Sequence, residues 1–215
     1  MTFVALALQM GHKKTLRDYW LRLRQLHNPF YGETMARDRF LHILCFLHFA
    51  NNSQRPDKGE ECDRLWKLRT VFDKLNEGYA KFCNPSEHLA VDKVIVKFKG
   101  RVIFRQYIPK RKHFGIKIYK LSDESGYTYD MSVYLGRDPH SATDDMTAAH
   151  ATVRHLTSRV EDLGHKIFMD NFFSSPRLFV DLDRRKINFC GPVRPNRRDM
   201  PSDLDQKNWN WKGVM

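Results

Sequence analysis

The chain has 215 residues, and its content of 41% hydrophobic and 13% aromatic residues excludes an intrinsically disordered protein. No uncharged apolar stretch approaches the ~20 residues that a bilayer span needs, so we expect no membrane partner. The 37 basic and 25 acidic residues leave a net charge of +12, which favours polyanionic partners, nucleic acid first among them.

The first ninety residues carry the apolar spacing of helices. A core helix is predicted over Phe3–Leu8, and another over Thr15–Leu26 that ends before Asn28-Pro29. Thr34 is the expected N-cap of a helix that runs to Asn51, and the clearest stripe predicts a helix over Asp63–Phe82. This pattern is typical of a small bundle. Because the bundle begins in mid-helix, we expect the chain to lack its natural beginning.

From Leu89 the apolar period changes to two, which predicts strands over Asp92–Phe98, Phe114–Leu121 and Tyr127–Leu135. Tight turns make these three an antiparallel meander. The remaining predicted elements are a helix over Met146–Leu163, a central strand covered on both faces over Ile167–Met169, a helix over Pro176–Lys186 and a strand over Ile187–Val193. The fold class is therefore α/β (α+β), in the order β-β-β-α-β-α-β. By analogy this is the layout of a ribonuclease-H-like sheet.

The four cysteines, Cys45, Cys62, Cys83 and Cys190, form no Cys-x-x-Cys pair and have no histidine pair at zinc-finger spacing. We interpret them as isolated reduced thiols, which indicates the cytosol or the nucleus.

Ten basic residues and no acidic residue lie between Lys93 and Lys120. We expect them on the outer face of one hairpin, where they would bind phosphates in a salt-sensitive way. A plain solvated face is the alternative. A smaller basic cluster contains Arg194, Arg197 and Arg198.

Two aspartates stand out by position. Asp92 shares strand parity with Val94 and Val96, so we expect its carboxylate to face an apolar surface and to need a partner or a metal. Asp170 ends the most hydrophobic strand, where catalytic groups of such sheets are found. If the two strands are neighbours, these carboxylates meet and a divalent cation would relieve their repulsion. Otherwise Asp92 pairs with a buried lysine or arginine and Asp170 caps a turn.

Seven short segments occur in an order that resembles the piggyBac family of cut-and-paste DNA transposases and the proteins derived from them. They are Ala90-Val91-Asp92, Phe98-Lys99-Gly100-Arg101, Gln106-Tyr107-Ile108-Pro109-Lys110, Gly115-Ile116-Lys117, Ser125-Gly126-Tyr127, Met169-Asp170-Asn171-Phe172-Phe173-Ser174-Ser175 and Gly191-Pro192-Val193-Arg194-Pro195-Asn196-Arg197. The helical half agrees through Met10-Gly11, Leu16-Arg17-Asp18-Tyr19-Trp20 and Arg37-Asp38-Arg39-Phe40.

The resemblance implies a ribonuclease-H-like catalytic domain whose three aspartates bind Mg²⁺ for two-metal phosphodiester chemistry. Asp92 and Asp170 match the first two and are the predicted catalytic and metal-binding residues. The third belongs to a Gly-Gly-Val-Asp motif that this chain does not contain before Met215. Lys93 also departs from the family, where an acidic residue commonly follows the first aspartate, and it adds a positive charge.

We therefore expect a helical dimerisation and DNA-binding region over 1–88, a partial catalytic core over 89–200 and, over 201–215, the start of a missing downstream region. The predicted DNA-binding residues are Lys97, Lys99, Arg101, Arg105, Lys110, Arg111, Lys112, Lys117, Arg194 and Arg197. The expected function is that of a nuclear, transposable-element-derived protein that binds double-stranded DNA and does not cleave it as this 215-residue chain. The alternative is a non-catalytic DNA-binding or dimerisation module, and homodimer formation stays open.

Overall fold

A computed structural model describes residues 2–11, 13, 15–54, 63–109, 112–136 and 146–201. The chain divides into two compact units, residues 1–55 and 56–215. Cys62, Lys110, Arg111 and residues 202–215, on which predictions were made above, lie outside the described residues.

The first unit is helical. It contains α1 (Thr2–Gln9), a 3₁₀ helix (Leu16–Trp20), α2 (Pro29–Thr34), α3 (Arg37–Cys45) and a second 3₁₀ helix (Asn52–Gln54). Its core is an aromatic cluster in which Tyr19, Tyr31 and Phe40 are almost fully buried around Leu6. The rings of Tyr19 and Tyr31 meet edge to face at 4.7 Å, a favourable arrangement of their quadrupoles.

Two helix predictions in this unit are wrong. Asn28-Pro29 begins a helix instead of ending one, because the Asn28 carboxamide accepts from Phe30 N–H and proline suits the first helical position. Thr34 is therefore the last residue of α2, and α3 starts at Arg37. The predicted helix over Thr15–Leu26 shortens to one 3₁₀ segment, which a Thr15–Asp18 capping box opens.

The second unit is built on a six-stranded mixed sheet. Its strands are β1 (His88–Lys97), β2 (Gln106–Ile108), β3 (His113–Asp123), β4 (Thr128–Val133), β5 (Lys166–Met169) and β6 (Asn188–Cys190). Its helices are α4 (Arg69–Phe82), α5 (Ala148–Thr157) and α6 (Pro176–Arg184), with a 3₁₀ turn at Ser158–Val160. The expected element order is confirmed, and the short β2 is an additional strand.

The sheet order is β2-β3-β1-β5-β6, and β4 also pairs with β3. The β1, β3 and β4 strands form the antiparallel meander, while β5 runs parallel to β1 and β6 parallel to β5. The open edge of β4 is satisfied by α4, where the Asn76 carboxamide bonds both backbone groups of Met131 at 2.8 and 3.2 Å. This explains why a polar residue is the buried one in α4.

Helix α4 is shorter than its stripe predicted. Asp63 accepts from Leu65 N–H and holds the Arg69 guanidinium through two bonds of 2.8 Å, which closes a turn before the helix. The hydrogen bond from Arg69 lowers the pKa of Asp63, although burial works against it. Leu75 and Phe82 of the stripe are exposed, so the apolar spacing here does not mark a fully buried face.

Among the residues that the structure describes, the buried core of the sheet lies on one face. Leu89, Val91, Leu121 and Ile167 point from the strands towards α5 and α6, and all four are at most 2% exposed. We call this side the helix face. The other side, which we call the open face, has Val94 at 38% and Phe168 at 43% exposure. The prediction that Ile167–Met169 is covered on both faces is therefore wrong for the part of the chain that the structure describes.

Among the described residues, none of the helices has the length and apolarity to cross a bilayer. Cys45, Cys83 and Cys190 are free thiols.

Candidate functional site

Asp92 and Asp170 lie at the same level on neighbouring strands. The β1–β5 pairing is parallel and its last register partners are Val91 and Met169, both buried on the helix face. Asp92 is the next residue of β1 and Asp170 is the first residue after β5, and both are exposed. Because side chains alternate along a strand, Asp92 leaves the sheet on its open side, and one further step of the β5 alternation directs Asp170 to the same side. Adjacent strands are about 4.8 Å apart.

In each carboxylate, one oxygen accepts a hydrogen bond from a backbone N–H. Asp92 Oδ1 accepts from Lys93 N–H at 2.6 Å, and Asp170 Oδ1 accepts from Phe172 N–H at 3.0 Å. Within the described residues the second oxygen of each carboxylate has no hydrogen-bond partner. Asp170 thus does cap a turn, as the alternative prediction held, and still presents an oxygen to solvent.

The expectation that Asp92 faces a buried apolar surface is wrong. Asp92 does share parity with Val94 and Val96, but these side chains are on the open face. Lys93 has the opposite parity and lies on the helix face, with its ammonium 4.3 Å from the centroid of the Phe172 ring. Alternation sorts residues into two sets, and the position of α5 and α6 decides which set is buried.

The loop after Asp170 is held from several sides. The backbone carbonyl of Asp170 accepts from Ser174 N–H at 3.2 Å and from the Ser174 hydroxyl at 3.0 Å. Gly191 lies so close to the end of β5 that a Cβ at position 191 would be 2.4 Å from the Met169 carbonyl oxygen. This close approach accounts for a glycine at the exit of β6.

The segment after β6 returns to the same loop. Arg194 Nη2 donates to Asn171 Oδ1 at 3.2 Å, and Arg197 Nη2 donates to the Asn171 carbonyl at 3.0 Å and to the Phe172 carbonyl. Both arginines were predicted as DNA contacts, which stays a prediction. Sequence reasoning missed this second role, although the Gly191–Arg197 motif was a signal that the segment has a defined structure.

The basic residues of the 93–120 window do not share one face, so that expectation is wrong. Lys97, Lys99, Arg101 and Lys112 are exposed at the far end of the β1–β3 pair. Lys117 shares the helix face with Lys93. Lys120, the register partner of Asp92, is on the open face.

Arg105 has a local structural contact in addition to its predicted role. Its guanidinium lies 4.1 Å from the Phe114 ring centroid and donates to the Gly100 carbonyl at 2.9 Å. It therefore closes the loop that carries Lys99 and Arg101.

No group of three or more metal-ligating side chains occurs among residues 2–11, 13, 15–54, 63–109, 112–136 and 146–201. The acidic groups nearest the core have basic side chains as partners instead. Asp130 Oδ2 lies 3.6 Å from Arg159, and Asp181 lies 2.9 Å from His150 Nε2.

The sheet order and the placement of two carboxylates on its central parallel strands define the class of ribonuclease-H-like proteins. A family model described as Transposase IS4 matches residues 1–213, so the chain belongs to this transposase family. The expected relationship to piggyBac transposases is confirmed by the relatives and the solved structure that follow.

The human PiggyBac transposable element-derived protein 3 is 28% identical over 88% of this chain, and the human PiggyBac transposable element-derived protein 2 is 22% identical over 85%. The cryo-EM structure of a piggyBac transposase synaptic complex with hairpin DNA has a TM-score of 0.80, with 29% identity over 98% of this chain. The chain spans about a third of these curated relatives (32% and 31%) and 43% of the solved one.

Proposed function

We propose that this protein binds double-stranded DNA and holds divalent metal beside it through Asp92 and Asp170. The observation that carries the proposal is the placement of both exposed carboxylates at one level of the open face, in a chain of the transposase family. DNA as the partner is supported by the similar solved chain, which is in a complex with hairpin DNA, and by the net charge of +12.

The two carboxylates fit a divalent cation. Hard oxygen donors suit Mg²⁺ or Mn²⁺, and Mg²⁺ is commonly held by one or two carboxylates with water completing its shell. Asp92 and Asp170 each offer an oxygen without another partner in the described chain. When bound, such ions activate a hydroxyl and stabilise a leaving oxygen in phosphodiester transfer. The protein's own contribution is to fix both carboxylates on rigid strand ends.

The metal site is tested by replacing Mg²⁺ with Fe²⁺ and generating hydroxyl radicals with ascorbate and peroxide. We expect backbone cleavage near residues 92 and 170, competed by Mg²⁺ and lost in Asp92→Asn and Asp170→Asn. The control is Asp73→Asn, since Asp73 is exposed on α4. Cleavage that persists in both site variants would reject the proposed ligands.

The DNA surface is proposed to include the exposed Lys97, Lys99, Arg101 and Lys112. Removing one lysine that binds a phosphate should reduce the slope of log K against log salt by about 0.9. Fluorescence anisotropy with a duplex should show this change for Lys99→Gln. Lys74→Gln, an equal charge loss on α4, should leave the slope as it is. Equal slopes in both variants would show that Lys99 binds no phosphate.

The second candidate is a DNA-binding or dimerisation module without catalysis. It is favoured by the absence of a third metal-ligating side chain near Asp92 and Asp170 within the described residues. We expect the purified 215-residue chain with Mg²⁺ to leave transposon-end DNA uncut. Cleavage that Asp92→Asn abolishes would establish the enzyme instead.

Dimerisation and a nuclear location are further proposals. In the first unit Leu44, Phe46, Leu47 and Phe49 are 42%, 67%, 39% and 49% exposed, and apolar patches of this kind are typical of association surfaces. Sedimentation of the chain and of Phe46→Ser would test self-association. A fluorescent fusion would test whether the protein concentrates in the nucleus, where a chromosomal DNA partner lies.

A further inference from the structure

We propose that a cavity on the helix face, between β3, β4 and α5, binds a phosphate group. The cavity measures about 630 Å³. Its walls include Lys117, Tyr119, Tyr134, His155 and Phe172. It opens on the side of the sheet opposite Asp92, so it is separate from the proposed metal site.

One ammonium group lines this cavity, and a second lies against the Phe172 ring that forms part of its wall. Lys117 lines it directly and lies 5.2 Å from the centroid of the Tyr134 ring. Lys93 reaches it through Phe172, whose ring is 4.3 Å from the Lys93 ammonium. Both lysines belong to neighbouring strands, with Lys117 opposite Ile95 and Lys93 opposite Tyr119.

These like charges lack a carboxylate partner in the described part of the chain. No acidic residue lines the cavity there. Asp130, on the same face, lies 3.6 Å from Arg159 and also interacts with His155 of the cavity wall. Burial lowers the pKa of Lys117, and the nearby charge of Lys93 lowers it further. The repulsion between these two cations is relieved when an anion binds beside Lys117.

The remaining walls suit a phosphate. Burial raises the pKa of Tyr119 to about 12, so its hydroxyl stays protonated and can donate to a phosphate oxygen. His155 adds a third basic side chain to the lining. The phosphate could come from free orthophosphate or from a DNA backbone, since both present the same oxygens.

Phe172 is the residue that lies between the cavity and the candidate metal site. This residue lines the cavity, and its N–H bonds Asp170 Oδ1 at 3.0 Å.

Lysine acetylation footprinting tests the site on the full chain. At inorganic phosphate about twice its dissociation constant, with chloride matching the ionic strength, Lys93 and Lys117 should be acetylated about threefold more slowly. Lys74, exposed on α4, is the reporter that should not change. Mass spectrometry of the peptides gives each rate separately.

The variants separate the outcomes. Lys117→Gln should abolish the protection of Lys93, whereas Lys74→Gln and Asp92→Asn should preserve it. Protection by phosphate alone assigns a small-anion site, and protection by a short duplex as well assigns a backbone phosphate. Equal slowing at Lys74, or no protection by either probe, would overturn the proposal. If phosphate still protects Lys93 in Asp92→Asn, the phosphate site does not depend on the proposed metal site.

Discussion

The two faces of the sheet have similar sequences and different surroundings. Val91 is 2% exposed on the helix face, whereas Val94 is 38% exposed on the open face. The same contrast holds within β5, where Ile167 is fully buried and its neighbour Phe168 is 43% exposed. Apolar residues alone therefore do not identify the core of this sheet. Packing against α5 and α6 does, and the candidate catalytic carboxylates lie on the face that these helices leave open.

The largest expected effect is a loss of stability when a side chain is removed from the buried face, compared with a removal from the open face. Ile167→Ala should reduce the free energy of unfolding by about 2–5 kcal/mol, because it opens a cavity in a packed core. Phe168→Ala removes a larger side chain but should reduce it by only about 1 kcal/mol, since much of the ring is already in water. Urea unfolding gives both values. Equal losses would mean that the open face is packed in solution.

A second prediction concerns the close approach beneath the Asp170 turn. Gly191→Ala should destabilise by about 1–3 kcal/mol, because its Cβ would be 2.4 Å from a backbone oxygen that cannot rotate away. Gly78→Ala is the control, as nothing lies within 4 Å of that position in α4. It should stabilise by about 0.5–1 kcal/mol. If the two variants unfold alike, β5 and β6 are not as close as described.

Arg197 supports the loop at the open-face site, and its loss should destabilise the protein less than the variants above. Arg197→Ala removes donors to the Asn171 and Phe172 carbonyls, and we expect a loss of about 1 kcal/mol. It should also weaken Fe²⁺-directed cleavage at residue 170. Arg198→Ala, which changes an exposed neighbour, should do neither. Loss of DNA affinity with unchanged metal-directed cleavage would assign Arg197 to DNA alone.

The smallest effect is a pH dependence on the helix side. Burial raises the pKa of Asp181, but its hydrogen bonds to His150 and Arg185 outweigh this and bring the pKa below the usual value. Its contribution is therefore present above the unfolded pKa of about 4 and is lost as pH falls through the lower folded value. Thermal unfolding between neutral and acidic pH should show a flatter acid loss in Asp181→Asn.

The pKa of Asp130 is shifted in the opposite direction to that of Asp181, so Asp130 serves as the comparison. Burial raises its pKa, and Arg159 only partly opposes this. Protonation below the raised folded value thus favours the native state, so stability from this group increases on acidification. Asp130→Asn should make the acid loss steeper. The same direction of change in both variants would contradict one of these assignments.

Much of the fold could be predicted from the sequence, since period-two and helical spacing placed nearly every element of the second unit. The errors are at boundaries that side chains set. Asp63 delays the start of α4 by holding Arg69, and Asn28 opens a helix where the residue before proline predicted an end. These depend on hydrogen bonds that periodicity does not encode.

The sequence by itself determined the order of elements, the alternation along β1 and the identity of Asp92 and Asp170 as the matching acids. The tertiary structure decided the rest. Parallel pairing of β1 with β5 brings together two residues 78 positions apart in the chain. Packing of α5 and α6 determined which face of the sheet became the core, because a face is removed from water only where other elements pack against it. The same packing divided one run of basic residues between two sides of the sheet.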